Sequence, residues 1–403
     1  MGGHGIGTVG LASGTSPTEL AATAKPASAP PAWNRFAHWR TGDARAGLFG
    51  FVLILILSAL VPIEAGRQDV ATHGLREVVA GTGQQGRQRD RDLALYDRAS
   101  ERIAGGEHYY DFILEEQRAA GYPVRPGLAV RLPTLAYLNA WAGETGQKVA
   151  AILLMLAVLA AWWRRLGGEP GVADRRRLLA FALIFLGASV GLTRHFFALH
   201  ELWAGMLLAL SFGLHRTGKG RDEARWGVAL EVAALALAIR ELALPFVLLM
   251  AAMAFWRRGW REAFAWCALA TAFLLALALH LHTVAQQVGP ADPAGQGWMY
   301  LRGLSGWLSN IALSGNLRFF PHWLAGPIVV LTLLGWCAWR SPAGAFGALL
   351  FLGYGLAFMI AGRPDNYYWG MMVTPVFLAG LAFAPMGLKS LVARARGRTA
   401  HAK

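Results

Sequence analysis

The residues best suited to chemistry sit in one stretch, DLALYDRASERIAGGEHYY, running from Asp92 to Tyr110. The preceding RDRD adds Asp90, separated from Asp92 by Arg91. A carboxylate within hydrogen-bond reach of a substrate can take its proton. Four arginines complement these acids. Arg131 lies in YPVRPGLAVRLPTLAYL (Tyr122 to Leu138), whose prolines forbid one continuous helix. Arg194 opens RHFFALHE, which ends on Glu201; Arg240 precedes Glu241 in RELALPF; Arg363 begins RPDNYYWG, with Asp365 two residues on. Arginine suits bidentate contact with phosphate oxygens. A charge set among apolar blocks is costly and faces a cavity or a partner. Each of these arginines could simply pair with its local acid or reach toward lipid headgroups. Three such turns on one side of the chain, beside the acid-bearing stretch, read instead as a shared polar site.

The elements that must position these groups are mostly apolar. Of 403 residues, 55% are hydrophobic and only 15% charged, against roughly 25% charged in soluble domains. Long apolar blocks recur after residue 46, which predicts an all-α membrane protein with about ten transmembrane helices. The first span is 47–63. Others fall near 149–163, 178–193, 199–214, 226–239, 242–256, 262–281, 321–339, 343–361 and 369–387, with 131–148 leading into the second. The net charge is +14, and the basic residues cluster between spans at 164–177, 215–225, 257–261 and 389–403. That is the positive-inside pattern. It puts both termini in the cytoplasm and the long polar segment 64–148 outside. No aromatic-basic platform accompanies the charge, so nucleic acid is not an expected partner.

Residues 1–46, rich in Gly, Ala, Ser, Thr and Pro, read as a disordered cytoplasmic tail, and 391–403 as a basic one. GIGTVG (Gly5 to Gly10) matches a nucleotide-binding pattern but lacks the strand and helix that would give it meaning. No signal peptide is expected. In the long loop, Leu93, Tyr96, Ala99 and Ile103 recur at helical spacing, and Gly105-Gly106 ends that helix. A second helix runs from Glu107 to Ala120. Both are amphipathic and are expected to lie on the membrane surface with their apolar faces down. Tyr109 and Tyr110 read first as interfacial anchors and second as sugar-stacking platforms. Cys267 and Cys337 are expected to be small core residues. His195 and His200 are five apart and share no helix face, and His280 and His282 carry no HExxH pattern, so no metal site is predicted.

This plan resembles the GT-C glycosyltransferases, a family that includes protein O-mannosyltransferases and the lipid A aminoarabinose transferase. The likeness covers about 47–390 as architecture: a first span, an outer loop with an early acid, surface helices, then a many-span body. Local similarity concentrates in DLALYDRASERIAGGEHYY and GYPVRPGLAVRLPTL. The resemblance implies an integral inner-membrane enzyme moving a sugar from a polyprenyl-phosphate-linked donor to a glycan, lipid or protein acceptor on the extracytoplasmic side. It implies a carboxylate base, Asp92 ahead of Asp90, because Asp92 opens the loop helix and holds the family-like position; RDRD stands where the family usually has its acid pair. It also implies cationic stabilisation of the leaving phosphate, for which Arg131, Arg240 and Arg363 are candidates, with Arg194 behind them and Glu201 as a second site acid or a partner of Arg194. The resemblance fixes no cofactor, and a divalent cation held by Asp92 is compatible with the family. An Asp opening a helix also caps it, and the two roles are compatible. Two rival classes remain: a transporter or flippase, which predicts inverted repeats that the sequence does not display, and a non-catalytic assembly subunit, in which no outer acid is essential.

Overall fold

The computed structural model describes Gly2 and residues 33–64, 91–216, 226–292 and 294–398, with the side chains of Arg91 and Asp92 excepted. GIGTVG, Asp90 and the tail 399–403 lie outside the described residues. Those described are helical throughout, with three isolated bridges and no strand among them. In chain order the helices are α1 (Thr41–Leu60), α2 (Arg91–Ala104), α3 (Tyr109–Ala119), α4 (Thr134–Gly168), α5 (Asp174–Ala188), α6 (His200–Leu214) and α7 (Gly227–Ile239). They continue with α8 (Leu244–Trp256), α9 (Trp260–Ala285), α10 (Gly303–Leu313), α11 (His322–Ala338), α12 (Pro342–Ile360), α13 (Thr374–Phe377) and α14 (Ala384–Ala395).

Four of the described helical segments are long and apolar enough to cross a membrane: Thr41–Leu60, Gly127–Gly168, Trp260–Ala285 and Pro342–Ile360. A fifth is added if Thr374–Ala382 and Ala384–Ala395, bent by 50°, form one span. The remaining expected spans do not appear as full-length helices. His200–Leu214, Gly227–Ile239, Glu241–Trp256 and His322–Ala338 are shorter apolar helices. At 1.5 Å per residue, helices of about 13–17 residues reach only about 20–26 Å. The block at 178–193 divides between α5 and a 3-10 turn, Ser189–Leu192. α5 gives way to the 3-10 turn at Ser189, and α7 ends at Arg240, whose backbone is extended.

α1 is apolar all round and leaves Phe49, Ile56 and Leu60 exposed, as a lipid-facing helix would. It touches the bundle where Ser58 meets Gly326 of α11, so closely that a Cβ on Gly326 would lie 2.0 Å from the Ser58 carbonyl oxygen. α6 is the opposite case. It is buried along nearly its whole length, between α4, α7 and the 3-10 segment Pro364–Met372.

Three expectations need correction. The tail does not stay unfolded to residue 46: Phe36, Ala37 and Ala44 are buried, and the Asn34 amide donates to Ser390 Oγ at 2.6 Å. The apolar faces of α2 and α3 are not left for a membrane surface. Ala99, Tyr109, Phe112, Ile113 and Leu114 pack with Val124, Val130, Ala136 and Val284 in a small core of their own. The stretch between α9 and α11 contains a buried helix, α10, that the sequence pattern did not mark. Its Gly, Ser and Asn residues mask an element whose Leu308, Ser309, Asn310 and Ile311 are all buried.

Candidate functional site

Helix α2 begins the site. Leu93 joins the main core, and Tyr96, one turn after Asp92, stacks edge-on to His200 with ring centroids 5.0 Å apart. The Tyr96 hydroxyl accepts a hydrogen bond from Arg131 Nε at 3.2 Å. Arg131 arrives from the proline-broken segment before α4, and its own carbonyl accepts from the Tyr109 hydroxyl at 2.7 Å. Burial holds the Tyr109 phenol well above its ordinary pKa, so it remains a donor. Three separate segments therefore fix one guanidinium.

Behind Arg131 lies a buried ion-paired group. Glu201, in the first turn of α6, is 2.7 Å from Arg240 Nε and 4.0 Å from Arg131 Nη2. Arg240 also donates to Glu241. The side chains of Glu201 and Arg240 are each only 1% exposed, whereas Arg131 is 13% exposed. The Glu201–Arg240 approach lies off the N–H axis, and Glu201 Oε1 receives no aligned hydrogen bond among the described residues. Two guanidiniums and two carboxylates thus balance in charge. Arg131 is the more exposed of the two guanidiniums, and Glu241, at 21%, is the more exposed of the two carboxylates.

Glycine permits the close packing behind this group. A Cβ on Gly205 of α6 would lie 2.0 Å from the Met371 carbonyl oxygen, so only glycine lets α6 meet the 364–372 segment there. That segment carries Tyr368, which is near enough to Arg131 to act on its charge. A small cleft of about 10 Å³, room for little more than a water, lies beside the group and is lined by Tyr96, Ser100, Tyr109, Asn139, Ala198 and His200, among others. It lies between α2, α3, the first part of α4 and the start of α6.

The structure brings together Arg131, Glu201 and Arg240. Arg194 is elsewhere: it pairs with Glu144 at 2.6 Å, is 66% exposed, and does not partner Glu201. The 3-10 turn Arg194–Phe196 separates it from the buried start of α6. Arg363 forms a two-point contact with Asp365, at 3.1 and 3.0 Å. Asp92 sits in the first turn of α2, with its side chain outside what is described. Tyr109 is buried and Tyr110 half-buried, and both act as hydrogen-bonded struts in the loop. The Tyr110 hydroxyl is 2.9 Å from His280 Nδ1, while His280 Nε2 is 3.1 Å from the Val130 carbonyl. Among the described residues no group of three His, Cys, Asp or Glu is placed to hold a metal ion. Tyr96, Asn139 and Glu241 were not singled out as site residues from the sequence. Glu241 had a signal, being a charge in an apolar run, but Tyr96 resembled any apolar-face residue and Asn139 had none.

No family model, curated protein or solved structure matches the chain.

Proposed function

We propose that this protein is a GT-C-type glycosyltransferase of about ten spans, with cytoplasmic termini, that uses a polyprenyl-phosphate-linked sugar on the extracytoplasmic side of the inner membrane. The observation that carries the reading is the convergence of Arg131 with the buried Glu201–Arg240–Glu241 group beside the helix that Asp92 opens. In the reaction an acceptor hydroxyl attacks the anomeric carbon and its proton passes to Asp92. The bond from that carbon to the phosphate oxygen breaks, and the lipid phosphate leaves with both electrons. Arg131, the more exposed of the two guanidiniums, meets the charge growing on that oxygen. Glu201 and Arg240 act as positioning residues, fixing Arg131 from behind. Arg363, half-open at the 364–372 segment, is the second candidate for the phosphate.

The test is Asp92→Asn in the native host. Removing a general base costs roughly 10²–10⁴-fold in rate, so the glycan or glycolipid product should disappear while membrane insertion stays normal. Undiminished product in Asp92→Asn, and again in the double replacement with Asp90→Asn, removes these acids from the mechanism.

A further inference from the structure

Outside the cluster, Arg318 is a cation with no carboxylate partner among the described residues. It lies in the 3-10 turn Asn316–Phe319, between α10 and α11. Its guanidinium carbon stands 5.5 Å from the centroid of Phe196 and 5.1 Å from that of Phe319. No carboxylate among the described residues comes within ion-pair distance of it, and its Nε is buried without a hydrogen-bond partner. Burial lowers its pKa below the usual arginine value, with only Tyr367 acting the other way. A half-buried cation of this kind calls for an anion.

The turn is held in place by Asn316, whose amide donates to the Leu186 carbonyl at 2.6 Å and to Ser189 Oγ at 2.8 Å. Close to it in the sequence or beside the Asn316 anchor, Leu186, Leu192, Phe319, Phe320 and Trp323 are all exposed, Phe319 by 61%. A free phosphate or an acidic peptide would satisfy the charge and leave this rim bare. A lipid satisfies both. The planar guanidinium beside these two Phe rings suits two-point contact with phosphate oxygens better than a loose ionic contact.

We propose that Arg318 and the rim of Leu186, Leu192, Phe319, Phe320 and Trp323 form a binding site for one glycerophospholipid of the surrounding bilayer, its phosphate on Arg318 and its chains on the rim. This site is independent of the transfer reaction and does not rest on it.

The full-length protein, purified in detergent and stripped of lipid, is melted with added dioctanoyl phosphatidylglycerol, dioctanoylglycerol, glycerol 3-phosphate or a short polyprenyl phosphate. Phosphatidylglycerol alone should raise the melting temperature strongly. Its apparent Kd should rise about tenfold or more in Arg318→Ala, as expected for a lost charge-assisted contact. It should rise partway in Arg318→Lys and stay unchanged in Arg194→Ala. If Arg318→Ala does not survive purification, Arg318→Lys carries the comparison. An unchanged Kd in the Arg318 variants, an equal response to dioctanoylglycerol, or tighter binding of polyprenyl phosphate through Arg318 would each overturn the assignment, the last by giving the site to a substrate.

Discussion

Glu201 faces two guanidinium groups from the first turn of a buried helix, and the consequences of removing it can be stated. Taking one member from a buried ion pair leaves the other uncompensated, at a cost of about 3–5 kcal/mol. Glu201→Gln should therefore lower the melting temperature of the purified protein clearly. Glu201→Gln combined with Arg240→Met should lose less than the two single changes added together. Strict additivity would mean that the two side chains are not coupled. These residues were legible in the sequence because a charge inside an apolar run must find a partner. Which partner was not legible: proximity suggested Arg194 for Glu201, and the fold supplies Arg240 from a distant turn. Arg165 shows the opposite failure. It reads as one member of an exposed basic run, yet it is buried and donates to the His215 carbonyl at 2.6 Å, closing the end of α6.

At the scale of elements, the loop helices were read almost to the residue, because Gly105-Gly106 and Gly121 punctuate a clear periodicity. What their apolar faces would cover was not readable, since membrane and protein offer the same solvent to a Phe or an Ile. Nor did the sequence disclose that the chain after α9 folds back on this loop. Arg118 binds Asp292 through two contacts of 2.7 and 2.8 Å, and Gly295 N–H donates to the Arg125 carbonyl at 2.7 Å. The Arg118 hydrogen bonds, then the Gly289 backbone N–H, hold the Asp292 carboxyl well below the ordinary carboxylate range. A depressed carboxylate pKa stabilises the folded loop fully above the unfolded value, and the effect fades as pH falls through the folded one. Proteolysis or hydrogen exchange within 286–296 should stay slow from neutral pH to mildly acidic pH and rise only below the ordinary carboxylate range. Asp292→Asn should give the fast behaviour already at neutral pH. Fast exchange in the parent protein at neutral pH would contradict the clasp.

For the whole molecule, helical class and apolar blocks followed from composition, while full span lengths did not. Helices end early at positions such as Ser189 and Arg240, and a hydropathy window runs across them. The orientation we propose is open to a direct check. With Cys267 and Cys337 replaced by Ala, single cysteines are placed at His108 and Arg258. A membrane-impermeant thiol reagent applied from the periplasmic side should label position 108 in intact cells, and position 258 only after permeabilisation. The reverse pattern would invert the topology and put the cluster in the wrong compartment.

Donor turnover is the most direct measurement. Purified protein in proteoliposomes is offered a panel of polyprenyl-phosphate hexoses, with an extract of the native envelope as acceptor, and release of polyprenyl phosphate is followed. The parent protein should release it from at least one donor, with Asp92→Asn roughly 10²–10⁴-fold slower and Arg131→Gln also strongly impaired. Release at the parental rate by both variants would contradict the glycosyl-transfer account.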